Sequence, residues 1–344
     1  MRCLTLADAL RERGAKTFFV SREHPGHLLG QIVERGHKVH ALPAPTASHL
    51  VSSMQTAHAA WLGTGWLEDA KETLELLERE RIDWLVVDHY ALDRSWEQSL
   101  RPACERLMVM DDLADRAHDC DLLLDPTLGR TQEHYAEHVR DGTKMLLGPT
   151  YALLRPEFAS LRPQSLARRQ DPELRQILIS MGGVDKDNAT GRVLDALDAS
   201  ELPSHLGLTV VMGRQAPWLT AIQHRARIMR FFTDVRVEVK NMAELMAESD
   251  LAIGAAGGTS WERCCMGLPT IQFVVAKNQE LIANQLAQIG AATFADEKTI
   301  NSVLSRLCLD SDYRGLGDQI RTSSRVTDGL GAQRVAEQML EAMS

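Results

Sequence analysis

Short apolar runs alternate with amphipathic stretches along nearly the whole chain, the pattern of parallel-sheet α/β units. In the first half, Thr17–Val20, Lys38–Leu42, Trp84–Asp88, Leu107–Asp111, Leu122–Asp125 and Met145–Leu147 predict strands. Trp66–Arg79 and Ser95–Leu100 predict helices there. In the second half the predicted strands are Gln176–Ser180, Leu208–Met212, Val235–Val239, Leu251–Gly254 and Thr270–Val275. Helices are expected near Asn188–Leu197, Trp218–Arg225, Ala243–Glu248 and Ser260–Met266, and the chain is mostly helical from Leu281 onward. Prolines 149, 156, 163 and 172, with several arginines among them, predict an interdomain linker over 151–172. The expected organisation is an N-terminal domain at 1–150, a C-terminal domain at 173–325 and a final helix at 326–344. Two such halves predict a ligand cleft between two sheets, beyond the carboxyl ends of the strands.

The start of the chain breaks this pattern. Met1, Leu4, Ala7 and Leu10 have helical spacing and lead directly into the first predicted strand. A doubly wound unit normally opens with a strand that lies centrally in its sheet.

The densest chemistry lies at 250–279. Gly254, Gly257 and Gly258 allow a tight turn and close approach of backbone to a ligand. Thr259 and Ser260 are candidates to cap the helix that follows, whose free N–H groups suit a phosphate. Glu262 falls in the first helical turn, where a carboxylate would repel a diphosphate in contact but accept hydrogen bonds from a sugar diol one step away. Thr259-x-x-Glu262 also fits a capping box that needs no ligand. A second glycine turn, Gly182-Gly183, follows another strand and precedes Asn188 and Thr190 at a helix start. Two such turns in one domain can face one diphosphate, so the block is expected to form a nucleotide-sugar site.

Composition narrows the classes. The formal net charge of −9 gives no basic excess for nonspecific nucleic-acid binding. No apolar run approaches the ~20 residues needed to span a bilayer, so no membrane partner is expected. The six cysteines (3, 104, 120, 264, 265 and 308) show no C-x-x-C spacing and fit reduced, packed thiols in a cytoplasm. No zinc-ligand spacing is present, and neither a metal nor a cofactor is expected. The expected state is a monomer whose partner is a small molecule.

Several blocks follow one family pattern in one order: Met-Arg-Cys-Leu-Thr-Leu-Ala (1–7), Val-Val-Asp-His-Tyr-Ala-Leu-Asp (86–93), Met-Asp-Asp-Leu-Ala-Asp-Arg (110–116) and Asp-Cys-Asp-Leu-Leu-Leu-Asp (119–125). The segment 146–158, Ser-Met-Gly-Gly-Val-Asp (180–185), Gly254–Pro269 and Lys277-Asn278-Gln279 continue it. Together they resemble the UDP-2,4-diacetamido-2,4,6-trideoxy-β-L-altropyranose hydrolases of bacterial pseudaminic acid synthesis. The resemblance implies a GT-B fold, with two Rossmann-like domains facing a cleft. It also implies a cytoplasmic enzyme that cleaves UDP from the sugar by inverting water attack at the anomeric carbon, without a metal. The sugar product commonly serves flagellin glycosylation.

On that resemblance Tyr90 and Asn278 are the active-site polar residues. The nucleotide sugar would lie against Gly182, Gly183, Met242, Gly254, Gly257, Gly258, Thr259, Ser260, Glu262 and Gln279, with the turn at Asn241-Met242 offering backbone groups to the uracil. Bland readings stand beside these: Tyr90 as a wall residue, Asn278 as an N-cap and Met242 as core. Asp111-Asp112 could pair on a metal but fits a strand-end turn better. His24, His27 and His89 lie near predicted strand ends. His89 would point to the opposite face from Tyr90 if both belonged to a strand. Water attack needs a base near neutral pKa, ordinarily His. In the family that base sits in a Gly-x-Gly-His loop after a first strand, just ahead of the block that here begins at Met1. A late-called start codon is the expectation, and an inactive UDP-sugar-binding remnant or a UDP-sugar glycosyltransferase the alternatives. Translating the DNA upstream of Met1 is expected to reveal an in-frame strand and Gly-His. The chain as given is expected to bind UDP with little or no turnover, and fast release of free sugar in a steady-state assay would overturn this.

Overall fold

The computed structural model describes residues 1–44, 58–78, 80–308 and 314–343, with side chains at 307, 308 and 314 left aside. The chain divides into two compact units, Met1–Leu153 with Ala332–Ser344, and Leu154–Gly331. Each is a layered α/β unit with its own core.

Unit 1 runs α1 (Arg2–Glu12), β1 (Phe18–Arg22), α2 (Leu29–Glu34), β2 (Lys38–Leu42), α3 (Trp66–Leu77), β3 (Trp84–Val87), α4 (Arg94–Leu100), β4 (Arg106–Met110), β5 (Leu122–Asp125) and β6 (Lys144–Leu147). The predicted end of the third helix, Arg79, lies outside the described residues. All ladders are parallel, but they form two sheets, β2-β1 and β3-β4-β5-β6. Strands β4 and β5 are almost entirely buried, which explains their unbroken Leu, Met and Val runs.

Unit 2 contains α5 (Pro156–Arg168), β7 (Gln176–Ser180), α6 (Ala189–Asp198), β8 (Gly207–Met212), α7 (Leu219–Ile228), β9 (Phe232–Val237), α8 (Met242–Glu248), β10 (Leu251–Ala255), α9 (Thr259–Cys265), β11 (Thr270–Phe273), α10 (Glu280–Gln288), β12 (Thr293–Phe294), α11 (Ile300–Cys308) and α12 (Arg314–Ser323). Helix α13 (Gly331–Glu341) carries the chain back to unit 1. The six parallel strands of unit 2 follow the order β12-β11-β10-β7-β8-β9. That is the doubly wound order, with its switch point between β7 and β10. Unit 1 divides its six described strands between two sheets, with no ladder between β1 and β3 among the described residues. The helical start read from Met1–Arg13 is helix α1, Arg2–Glu12.

Helix α1 serves both sheets of unit 1. Leu6, Ala9 and Leu10 pack with Met108, Met110, Leu122 and Leu124 of the four-stranded sheet and with Val335 and Met339 of α13. Leu4 packs instead with α2 and with Phe19 and Val39 of the two-stranded sheet. At the N-terminus of α1, Arg2 grips the carboxyl ends of β3 and β4. Its Nη2 donates to Asp88 at 2.7 Å and its Nη1 to Asp112 at 3.1 Å.

The stretch 151–172, read from its prolines as a linker, is largely helix α5. Pro156 occupies its first turn, where no N–H bond is lost. This helix braces α9: Arg162 donates to the carbonyls of Cys265 and Ser324, and Ser165 Oγ to that of Met266 at 2.7 Å. The edge strand predicted at Val235–Val239 starts three residues earlier and ends two earlier, at Phe232–Val237, because its exposed, polar-rich sequence carries little periodic signal.

Replacing Arg2 by Met should cost unit 1 about 1–3 kcal/mol by leaving the Asp88 carboxylate without its cation. Hydrogen-exchange mass spectrometry should show faster exchange in α1 and β1, with unit 2 unchanged.

Candidate active site

In unit 2 the two glycine turns flank the switch point. Gly254 on β10 pairs with Ser180 on β7. A Cβ at Gly254 would lie 2.9 Å from the Ser180 carbonyl oxygen and 2.8 Å from Arg263 Nη1, so only glycine fits between strand and side chain. Gly182 turns the chain with φ +97°. Beside it stands Gly213, after β8, which sequence reasoning did not single out. Its N–H donates to the Gly183 carbonyl at 3.0 Å, and a Cβ there would sit 2.2 Å from that oxygen. The only sequence signal was a glycine immediately after a strand.

The capping role expected of Thr259 and Ser260 is not what the structure contains. The N-cap of α9 is Gly258, and no side chain caps it. Both hydroxyls instead accept from Arg263, at 3.1 Å to Thr259 and 3.0 Å to Ser260, while Arg263 Nη2 holds the Ala255 carbonyl at 2.8 Å. Ser260 is buried. Its side chain therefore serves the turn from inside, because a buried guanidinium offers stronger bonds than an N–H at the helix end. Arg263 has no carboxylate partner among the described residues, and burial draws its pKa down to about 10.

Glu262 is half-buried in the first turn of α9. Burial pushes its carboxyl up to about 7, against the pull of Arg155 at 3.9 Å and of Arg263. Arg155 also donates to the Lys240 carbonyl at 3.3 Å, so it ties Glu262 to the turn at Asn241-Met242. Asn241 is the N-cap of α8 and Met242 its first residue, half-buried rather than core. Nothing in the local sequence around Arg155 pairs it with Glu262; folding brings them together. Gln279 lies against the other side of the turn, with its amide nitrogen 3.6 Å from where a Gly257 Cβ would be, and its Oε1 accepts from the Val275 N–H. Asn278 is exposed in a 3-10 turn at Lys277–Gln279. It is not a cap, and it makes no side-chain hydrogen bond among the described residues.

In unit 1 the strand-end residues form a second polar group. β3 ends at Val87, so Asp88, His89 and Tyr90 lie in a turn and the strand alternation expected for His89 does not apply. His89 Nδ1 accepts from the Ala91 N–H at 3.1 Å, and burial lowers its pKa. His24 and His27 lie on the turn after β1, with His27 exposed. Tyr90 donates its hydroxyl to Asp112 Oδ1 at 2.7 Å, and Asp112 Oδ2 receives Arg2. Burial and the neighbouring Asp112 raise the Tyr90 phenol, keeping it protonated. Burial alone would raise the Asp88 carboxyl, but Arg2 and the Cys3 thiol hold it below the usual range.

Asp111 and Asp112 diverge, which removes the metal-pair reading. Asp111 is fully buried and accepts from Arg116 at 2.8 Å, the Ala114 N–H at 2.8 Å and the Tyr135 hydroxyl at 3.1 Å. Tyr135 also donates to Asp125 at 2.8 Å, and His118 bonds to Glu97 at 2.6 Å. This buried network fixes the loop that carries Asp112. Among the described residues no cluster of His, Cys, Asp and Glu could hold a metal ion, and no helix is long and apolar enough to cross a membrane.

No protein-family profile matches the chain. It is 24% identical over 209 residues to an uncharacterized protein of Methanocaldococcus jannaschii, covering 59% of this chain and 42% of that one. It is 26% identical over 226 residues to the UDP-2,4-diacetamido-2,4,6-trideoxy-beta-L-altropyranose hydrolase of Campylobacter jejuni, covering 65% and 77%. To the spore coat polysaccharide biosynthesis protein SpsG of Bacillus subtilis it is 28% identical over 159 residues, covering 45% and 44%. The chain thus spans less than half the length of two of these relatives. Among solved structures, MurG of Acinetobacter baumannii superposes with a TM-score of 0.68 at 15% identity, covering 99% of this chain and 95% of that one. A UDP-GlcNAc 2-epimerase of Neisseria meningitidis, solved with UDP-GlcNAc, gives 0.65 at 11% identity, covering 99% and 96%. The fold is GT-B, built from two Rossmann-like α/β units.

The raised Glu262 pKa predicts a signature in stability. Between pH 4.5 and about 7 the folded chain keeps a proton on Glu262 that the unfolded chain has lost. Glu262's contribution to stability therefore falls as pH rises through that window and levels off above it. Denaturant titrations of wild type and Glu262→Gln across this range should differ by that slope, and parallel profiles would disprove the assignment.

Proposed function

We propose that the chain is a nucleotide-sugar enzyme that hydrolyses UDP-2,4-diacetamido-2,4,6-trideoxy-β-L-altropyranose to UDP and the free sugar. The observation that carries this reading is the convergence in unit 2 of Glu262, the Gly254–Gly258 turn and Gln279, at the switch point of a doubly wound sheet. The 26% identity to the Campylobacter jejuni hydrolase supports it. In this reading the backbone of Gly182, Gly183, Gly257, Gly258 and Thr259 and the Gln279 amide receive the diphosphate. Arg263, inside the turn, adds positive potential without touching the ligand. Glu262 accepts from the ribose diol, and the Asn241-Met242 turn meets the uracil. Tyr90 in unit 1 and Asn278 in unit 2 keep, on the resemblance alone, the sugar and water roles it implies for them. Water forms its bond to the anomeric carbon while the bond to the diphosphate oxygen breaks, the electron pair leaving with UDP. The proton of the water passes to a base, and negative charge developing on the diphosphate is met by donors already in place.

Calorimetric binding of UDP-N-acetylglucosamine, whose diester phosphates do not titrate near neutrality, tests the nucleotide site. Affinity should rise about threefold or more from pH 6 to pH 8 as Glu262 ionises, and Glu262→Gln should abolish that rise. The reaction is tested with the proposed sugar nucleotide and no acceptor. Free sugar appearing with UDP supports hydrolysis. UDP release only after an acceptor is added would mark a transferase instead.

A further inference from the structure

Trp61 is 58% exposed, although the turn that carries it is firmly anchored. The next residue, Leu62, is buried in the unit 1 core with Trp96 and Leu100, and Gly63 then reverses the chain with φ +73°. The indole is therefore held at the surface by its own turn. It is not alone there. The His58 ring lies 4.7 Å from it, the Tyr90 ring 5.9 Å, and His58 and Tyr90 are 5.5 Å apart, all between centroids. Behind Tyr90, Arg116 lies 5.8 Å from the ring centroid, itself fixed by Asp111 and by the Leu92 carbonyl.

Three rings in mutual contact, tilted by 44–59° to one another, make an aromatic cluster that presents the exposed indole of Trp61, and one edge of that cluster is polar. The Tyr90 hydroxyl is bonded to Asp112, which with Arg2 and Asp88 forms a part-exposed charged row. An exposed indole face, flanked by two tilted rings and standing beside fixed carboxylates and a guanidinium, complements a pyranose ring. The ring's C–H face, methyls included, covers the aromatic carbons, and its hydroxyl and amide groups reach the polar edge. A lipid or an apolar peptide would take the part-exposed Arg2, Asp88 and Asp112 out of water without offering them a hydrogen bond in return. A nucleobase would stack equally well on the rings, but its phosphates would face the two carboxylates.

We propose that Trp61, with His58 and Tyr90, is the platform on which the sugar ring of the substrate stacks, and that Trp61 sets the preference for sugars with an apolar, C–H-rich face. The proposal rests on the reading of the chain as a UDP-sugar enzyme, but it concerns residues of unit 1 alone. Trp61→Ala, exposed enough to leave the fold intact by circular dichroism, is the central variant, with Trp61→Phe as the conservative control. In calorimetry, Trp61→Ala should weaken binding of UDP-2,4-diacetamido-2,4,6-trideoxy-β-L-altropyranose about tenfold and leave UDP within about twofold, with Trp61→Phe between wild type and Trp61→Ala. Saturation-transfer NMR with free 2,4-diacetamido-2,4,6-trideoxyaltrose gives a reading independent of the nucleotide. Wild type should transfer to the ring C–H and methyl protons, and Trp61→Ala should lose that transfer. Sugar contact without UDP binding would overturn the nucleotide assignment and keep the platform. No transfer in wild type, or transfer and affinity unchanged in Trp61→Ala, would overturn the platform.

Discussion

The grip of Arg2 on Asp88 and Asp112 is the interaction on which unit 1 depends. Its strands form two parallel sheets that no ladder joins among the described residues, and α1 packs on both. Hydrophobic contact alone leaves a helix free to slide along such a surface, since burial is non-directional. A guanidinium bonded to two carboxylates at the ends of two neighbouring strands fixes position as well as distance. The same contact sets Asp112, and through Asp112 the Tyr90 hydroxyl. Sheet architecture and candidate chemistry therefore share one ionic junction.

Unit 2 reaches a comparable result by backbone means. Its switch point separates β7 from β10, and glycines keep the crossing open where a methyl group would strike a carbonyl. Arg263 then fastens the turn from beneath, taking both hydroxyls that a capping role would have used. Its charge stays in a buried place without a carboxylate beside it among the described residues, while the nearest acid, Glu262, is held near neutrality by burial. A diphosphate in the proposed role would supply the missing anion.

Much of this was legible in residue order. Buried parallel strands announce themselves as continuous apolar runs, as Leu107–Asp111 and Leu122–Asp125 do, because both faces are covered. The glycines at 182–183 and 254–258 were visible in residue order, and at two of them the turn needs glycine: Gly182 for its positive φ and Gly254 for want of room for a Cβ. Less visible were elements whose reason for existing lies elsewhere in the chain. α5 reads as a linker because Pro156 and Pro163 interrupt its helical signal, yet its partners are the carbonyls at the end of α9. Trp61 and His58 carry no local motif, and their meaning depends on where Tyr90 comes to rest.

By itself the sequence determined the class of fold, the alternation that makes the sheets parallel and the glycine turns. Each is a property of neighbouring residues, set by periodicity and by local backbone freedom. Tertiary structure decided which polar groups meet: Arg2 with Asp112, Arg155 with Glu262, Arg263 with the hydroxyls of Thr259 and Ser260. The first two pairs are far apart in sequence. The last lie within one helical turn, yet their direction depends on what surrounds α9, since a buried cation takes whatever acceptors the fold leaves within reach.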